Sequence, residues 1–514
     1  MNENQAWMLV AIIVYMGVLI WIGVYFSRKN SSTNDFYLGG RKLGPFVTAM
    51  SAEASDMSSY LLMGLPGLAY LTGLADVTWT AIGLAVGTYL NWLIVAKRLR
   101  NYSEICKDSI TIPDFFSNRY RDNKKILMCV AAAIIIVFFV PYTASGFKAC
   151  GVLFSSVFGI DYAYAMLISA VIIIAYTTLG GFLAASFSDF IQSIIMTIAL
   201  VTVLFVGISF AGGFDKVIEN AQSNPGYLGM FTTFDPSTGT SNPYTGLTIV
   251  STMAWGLGYF GMPHVLLRFM AIKDNKKLKL SRRIASVWVV ISMGIAILIG
   301  IVGAAMSANG SIEVLEGGAS ESVIIQIAKL IASYGWAFAL FGGVVLAGIL
   351  AATMSTSDSQ LLAASSSISE NILKGTFKLN LSKRATMIIA RLTVIGVAIV
   401  AVLLALDQNS TVFGIVSFAW AGFGATFGPV MLLALFWKRS NFWGAITGMI
   451  TGGAMVFIWE YVLTPLGGIF GIYELLPAFI LALVVNVIVS LVTKAPDEEI
   501  VKEFEHVKAM QKAN

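Results

Sequence analysis

The sequence predicts an all-α polytopic membrane protein of about thirteen transmembrane helices, with two inverted sets of five at its centre. Three observations predict it. Apolar residues make up 57% of the 514-residue chain and charged residues only 12%, about half the charged share of an ordinary soluble protein. The apolar residues come in runs of roughly 20, long enough to cross a bilayer as helices. The basic residues gather in alternate loops, so successive runs cross in opposite directions.

The runs fall at 7–26, 45–74, 76–96, 126–154, 162–183, 188–211, 244–271, 284–307, 335–366, 385–406, 409–437, 441–463 and 473–493. The first has no basic segment before it and no convincing small-residue cleavage site, so it reads as a retained span rather than a signal peptide. The loops after the first, third, seventh, ninth and eleventh runs, with the tail, hold nearly all the basic residues. Among them are Arg28, Arg41, Lys97, Arg98, Lys276, Arg282, Lys374 and Lys438. The loop 212–243 holds only Lys216. Basic loops stay on the cytoplasmic side, which puts the N-terminus outside and the C-terminus inside. An odd number of crossings is then required, and thirteen satisfies it.

The second to sixth runs and the seventh to eleventh therefore enter from opposite sides. The chain divides into an extra helix and loop (1–44), a first five-helix repeat (45–211), an extracellular loop (212–243), a second inverted repeat (244–437) and two extra helices with a cytoplasmic tail (438–514). The segment T-I-P-D-F-F-S-N-R-Y within 97–125 predicts a short amphipathic helix on the membrane surface. The tail after Lys494 is too short for a catalytic domain. The net charge of +5 is spread over short loops, which argues against nucleic acid as a partner. Three cysteines (Cys106, Cys129, Cys150) without ligand spacing, and two histidines (His264, His506), leave little for metal or His-based catalysis.

Each repeat opens on an interrupted helix. In the second run M-S-A-E-A-S-D-M-S-S-Y-L-L-M-G-L-P-G (50–67) sets Glu53, Asp56, Ser51, Ser55, Ser58 and Ser59 among apolar residues. Ionisable groups at membrane depth mark function by default. Broken helices there expose backbone amides for a substrate carboxylate and carbonyls for a cation. Glu53 and Asp56, three apart, share a helix face and repel unless a cation, proton or basic partner lies between them. In the seventh run W-G-L-G-Y-F-G-M-P-H (255–264) pairs Trp255 and Tyr259, four apart, on one face as an aromatic wall, with glycines and Pro263 loosening the helix. In the ninth run A-A-T-M-S-T-S-D (351–358) places the Ser355 and Thr356 hydroxyls beside the Ala352 carbonyl. Three such oxygens, completed by carbonyls of the second run, suit sodium; back-bonding of the hydroxyls to their own helix is the bland alternative. Asp189 opens the sixth run and reads either as part of an ion path or as a helix cap. Arg41 in L-G-G-R-K-L-G reads either as a cytoplasmic anchor or as a gate residue.

These motifs, with Y-L-G-G-R and L-A-A-T-M-S-T-S-D-S-Q, resemble the sodium/solute symporter family over about residues 7–493, most closely its proline-transporting branch. The resemblance implies a five-plus-five inverted repeat of the leucine-transporter type. It implies sodium held by the carbonyls of Ala54, Met57 and Ala352 and the hydroxyls of Ser355 and Thr356. Asp56, Asp189 and Arg41 match positions tied to sodium affinity and coupling. Trp255, Tyr259, Pro263 and Tyr142 match substrate-facing positions, to which Ser58 and Ser59 at the break are added. The sequence departs from the family pattern at Glu53 (glycine expected), Tyr60 (tryptophan) and Met262 (glutamine). The resulting expectation is sodium-coupled import of L-proline across the plasma membrane by alternating access. Sodium is the coupling ion, with no cofactor, no enzymatic activity and no obligatory protein partner beyond the lipid bilayer. Another osmolyte, amino acid or carboxylate is the alternative substrate; a solute sensor or a channel is a more distant reading.

Overall fold

In the computed structural model, which describes residues 2–28, 32–377, 379, 382–406 and 411–513, helix dominates. The helices are α1 (Glu3–Ser27), α2 (Thr33–Leu38), α3 (Pro45–Ser59), α4 (Leu65–Thr72), α5 (Leu74–Leu90), α6 (Ala96–Ile105), α7 (Ile112–Arg119), α8 (Ile126–Phe158), α9 (Tyr162–Phe210) and α10 (Phe214–Ser223). There follow α11 (Gly246–Met253), α12 (Pro263–Ala271), α13 (Leu278–Ala308), α14 (Val323–Ala332), α15 (Trp336–Ser366), α16 (Lys383–Ala405), α17 (Val412–Phe436), α18 (Phe442–Ile458), α19 (Leu475–Val492) and α20 (Glu498–Ala513).

Among the described residues ten helical segments are long and apolar enough to cross a membrane. The other three predicted runs are the two interrupted ones, α3–α4 and α11–α12, and the first half of α9, whose apolar helix Tyr162–Ala175 is shorter. Burial sorts centre from rim. The most apolar window is 83% buried in α17 and 72% in the segment containing α15, but only 28% in α1 and in α16. A lipid-facing helix keeps its apolar surface outward, as Ile13, Trp21, Leu392 and Leu403 do here.

The breaks have local causes. Within α3, Ser58 adopts φ 51°, ψ −168°, and the chain then runs through a π-helical turn, Tyr60–Gly64, into α4. Between α11 and α12 the chain tightens to a 3-10 run, Ala254–Phe260, before Pro263 starts the next helix at a position where its missing N–H costs nothing. The glycines around it allow close approach: Gly83 and Gly87 of α5 meet the backbones of Met253 and Gly256, where a Cβ would clash.

The loops and the tail carry structure of their own, and one loop helix departs from the sequence reading. The loop 212–243 contains α10 and a small hairpin, β1 (Thr232–Asp235) paired antiparallel with β2 (Thr240–Pro243). The T-I-P-D-F-F-S-N-R-Y helix forms as α7, but Ile112, Phe115, Phe116 and Arg119 are buried rather than laid on a membrane surface. The tail forms α20, which packs its Phe504 against Tyr102 and Arg98 of α6.

Candidate functional site

The α3 break faces the middle of α15. The Ser355 hydroxyl lies 2.8 Å from the Ala54 carbonyl and 3.2 Å from that of Ala352, and the Thr356 hydroxyl is 3.1 Å from the Ala352 carbonyl. Both hydroxyls therefore back-bond within α15, and Ser355 also reaches across to α3. Ala54, Ala352, Ser355 and Thr356 converge on one point, all buried. The Met57 carbonyl, one turn further along α3, accepts from the Tyr60 amide. This set of carbonyl and hydroxyl oxygens, without formal charge, is the kind a hard monovalent cation takes.

On the other side of the break, Tyr259 Oη donates to Asp56 Oδ2 at 2.5 Å, and Tyr142 Oη reaches the Asp56 carbonyl at 3.4 Å. Asp56 Oδ1 and the Ser59 hydroxyl have no hydrogen-bond partner among the described residues. Glu53 points to α5's continuation, where Trp92 Nε1 donates to Oε1 at 2.9 Å, and its Oε2 is likewise without a partner there. Ser58 Oγ accepts from the Tyr60 amide at 3.1 Å.

The aromatic wall forms, with a different geometry from that expected. Residues four apart share a face on an α-helix, but Trp255 and Tyr259 lie on a 3-10 run of three residues per turn. They diverge and meet Trp420 of α17 separately: Trp255 stacks at 6.3 Å and Tyr259 stands edge-on at 5.1 Å. Trp255 also stacks on Tyr60 and Tyr473, and Trp420 Nε1 donates to the Trp255 carbonyl at 2.8 Å. Between the rings of Tyr60, Trp255 and Trp420 and Asp56 lies a void of about 10 Å³, lined also by Met57, Leu84, Tyr142 and Val416. That is room for about one water molecule, so rings must part before a solute enters. Pro263 and Met262 are buried at the start of α12.

Asp189 is not a cap. The helical run α9 continues from Tyr162 to Phe210, kinked at Gly181 (φ 65°), and leaves Asp189 inside it. Its carboxylate accepts from the Ser51 hydroxyl (2.7 Å) and pairs with Arg268 of α12 (3.1 Å), both side chains being at most 1% exposed. Arg268 also donates to Ser51 Oγ, the His264 carbonyl and Ser359 Oγ. One guanidinium thus ties α3, α9, α12 and α15 together. The sequence reading missed it, although a lone arginine in the apolar H-V-L-L-R-F-M was a signal. It also missed Trp420 and Glu321, whose carboxylate caps α17 by accepting from the Val412 and Phe413 amides.

Arg41 lies away from these groups. It donates to Asp108 (3.0 Å), Ser103 (3.1 Å), the Met270 carbonyl (2.7 Å) and the Ser109 carbonyl (2.9 Å), joining the α6–α7 turn to the end of α12. Burial, and then the charge of Arg100, hold its pKa below the ordinary arginine value.

A model of the sodium:solute symporter family matches residues 36–452. The osmoregulated proline transporter OpuE of Bacillus subtilis is 42% identical over 484 residues, 94% of this chain and 94% of that protein. The high-affinity proline transporter PutP of the same organism is 43% identical, covering 95% of this chain and 98% of its own length. A sodium/proline symporter of Haemophilus influenzae is 42% identical across 97% of both chains. Among solved structures, a substrate-bound, outward-open Na+-coupled sialic acid symporter superposes with a TM-score of 0.78 at 20% identity, over 97% of this chain and 99% of that one. MhsT in complex with L-phenylalanine gives 0.52 at 12% identity, over 88% and 98%. At these identities the structural likeness speaks for the fold.

Proposed function

This chain belongs to the sodium:solute symporter family, and we propose that it imports L-proline together with sodium by alternating access. It is a multi-pass membrane transporter, not an enzyme. The observation that carries the substrate is likeness of at least 42% over nearly the whole chain to three relatives named for proline transport. The geometry at the α3 break supports the coupling.

Sodium takes the carbonyls of Ala54, Met57 and Ala352 and the hydroxyls of Ser355 and Thr356. The Ser355 hydroxyl donates to the Ala54 carbonyl. On sodium binding the O–H rotates away with its proton, both oxygens face the ion, and α3 is held to α15. Fixing the break positions Asp56, Ser58 and Ser59. The amides beyond Ser58 then offer a seat to the proline carboxylate, and Tyr142, Trp255, Tyr259 and Pro263 enclose the pyrrolidine ring. Coupling follows because each ligand binds better once the other has ordered the break. Asp189 and Arg41 act on the cytoplasmic side, in ion release and closure. The N-terminus lies outside and the C-terminus in the cytoplasm. Residues 45–211 and 244–437 are the two inverted repeats, with 1–44, 212–243 and 438–514 added around them.

Radiolabelled L-proline uptake into proteoliposomes tests this reading. Accumulation above the outside concentration under an inward sodium gradient supports it. Accumulation of another solute instead, with proline unable to compete, overturns the substrate.

A further inference from the structure

The C-terminal helix α20 lies across the ends of two spans. Ile500, Phe504 and Val507 form its buried face. Arg98 of α6 is held between two rings: its guanidinium is 4.7 Å from Phe504 and 5.1 Å from Phe436, the last residue of α17. The same Phe504 faces Arg119 of α7 at 5.6 Å, and Arg119 Nε donates to the Ala434 carbonyl of α17. Beside this stack, Arg121 pairs with Glu503 at 2.7 Å, with side chains 18% and 13% exposed. The outlying pairs, Arg121–Glu499 and Lys438–Glu505, are longer and more open to solvent, so they contribute less.

These contacts join α6 and α7 to the end of α17. α6 follows a π-helical turn, Asn91–Val95, and is tied to the end of α12 by Arg100 Nε donating to the Ile272 carbonyl at 2.8 Å. It is therefore tied to the second broken helix. α17 faces the α3 break across the small void beside Asp56, through Val416 and Trp420. Below α20 sits Cys106, fully buried at the end of α6, its thiol facing Glu503. Burial, and then the Glu503 charge, push that thiol well above its ordinary pKa, which slows its reaction with electrophiles.

We propose that α20 is a strap over the cytoplasmic face, clamping the end of α6 to the end of α17, and that every inward opening requires its release. This rests on the alternating-access reading. Release uncovers Cys106, which makes that thiol a built-in reporter. The test uses the full-length chain with Cys129→Ala and Cys150→Ala, so that Cys106 is its single thiol, in inside-out vesicles with a soluble maleimide. Labelling in the resting state should be slow and should rise about tenfold during sodium-driven proline turnover. Arg121→Glu, which by charge alone would slow the thiol, and Phe504→Ala should each raise the resting rate about tenfold, the shift that about 1.4 kcal/mol of lost clamp energy gives. The exchange Arg121→Glu with Glu503→Arg should bring it back down, a rescue that a misfolded variant would not show. Equal resting rates in all variants overturn the strap, whatever the uptake assay returns. Labelling unchanged by turnover in vesicles that do accumulate proline also overturns it. Failure of proline uptake, with the variant pattern intact, counts against the substrate alone.

Discussion

Arg268 is the most heavily committed buried side chain near the site, and its removal gives a worked prediction. Its guanidinium makes hydrogen bonds to Ser51, His264, Asp189 and Ser359, on four different elements. Replacing it by glutamine leaves the Asp189 carboxylate, itself fully buried, with the Ser51 hydroxyl as its remaining donor among the described residues. Breaking a buried ion pair from one side costs about 3–5 kcal/mol, because the stranded charge keeps its desolvation penalty. Removing both charges with Arg268→Gln and Asp189→Asn takes that penalty away and should recover at least about 2 kcal/mol of the loss. The assay is the apparent unfolding temperature of detergent-purified protein. The expected order is wild type, then the double variant, then either single variant. A double variant no more stable than Arg268→Gln, or a single variant as stable as the wild type, would refute the reasoning that a stranded charge dominates here.

Ser355→Ala and Thr356→Ala should each raise the sodium concentration for half-maximal uptake by about tenfold, roughly 1.4 kcal/mol for one lost oxygen, with a smaller effect on maximal rate. Unchanged sodium activation in both would remove the ion site from α15. Tyr259→Ala removes both the Asp56 hydrogen bond and the ring edge on Trp420. It should weaken half-saturation by proline at least about tenfold at saturating sodium, and an unaltered affinity would dismiss the aromatic wall. Gly256→Val forces a branched side chain into the backbone of Gly83. Overpacking of this kind costs about 1–3 kcal/mol or more, read as a lower unfolding temperature; a wild-type melt would contradict the close α5 packing.

Features with local causes were legible in the sequence. The α3 break announces itself through Ser58, Ser59, Gly64 and Pro66, because these residues loosen a helix wherever they stand. The Ala352, Ser355 and Thr356 cluster follows from helix spacing alone. Partnerships across the fold were not legible. Asp189 and Arg268 are far apart in sequence, and only packing brings α9 against α12, so Asp189 was open to being read as a cap. The divergence of Trp255 and Tyr259 depends on a switch from α to 3-10 geometry, which the glycines permit but do not dictate. The strap α20 carries few apolar residues on a polar helix (Ile500, Phe504 and Val507 being the buried ones), and its stability comes from Arg98, Arg119 and Arg121, which the sequence presents merely as loop charge.

In the proposed mechanism proline and sodium share one ordered break and so move together. Coupling of this kind is reciprocal. The most direct measurement is radiolabelled sodium entering proteoliposomes with no sodium gradient, driven by an inward gradient of L-proline. Sodium should accumulate above the outside concentration, and the Ser355→Ala, Thr356→Ala double variant should lose this accumulation. Sodium entry that is the same with and without the proline gradient would contradict it.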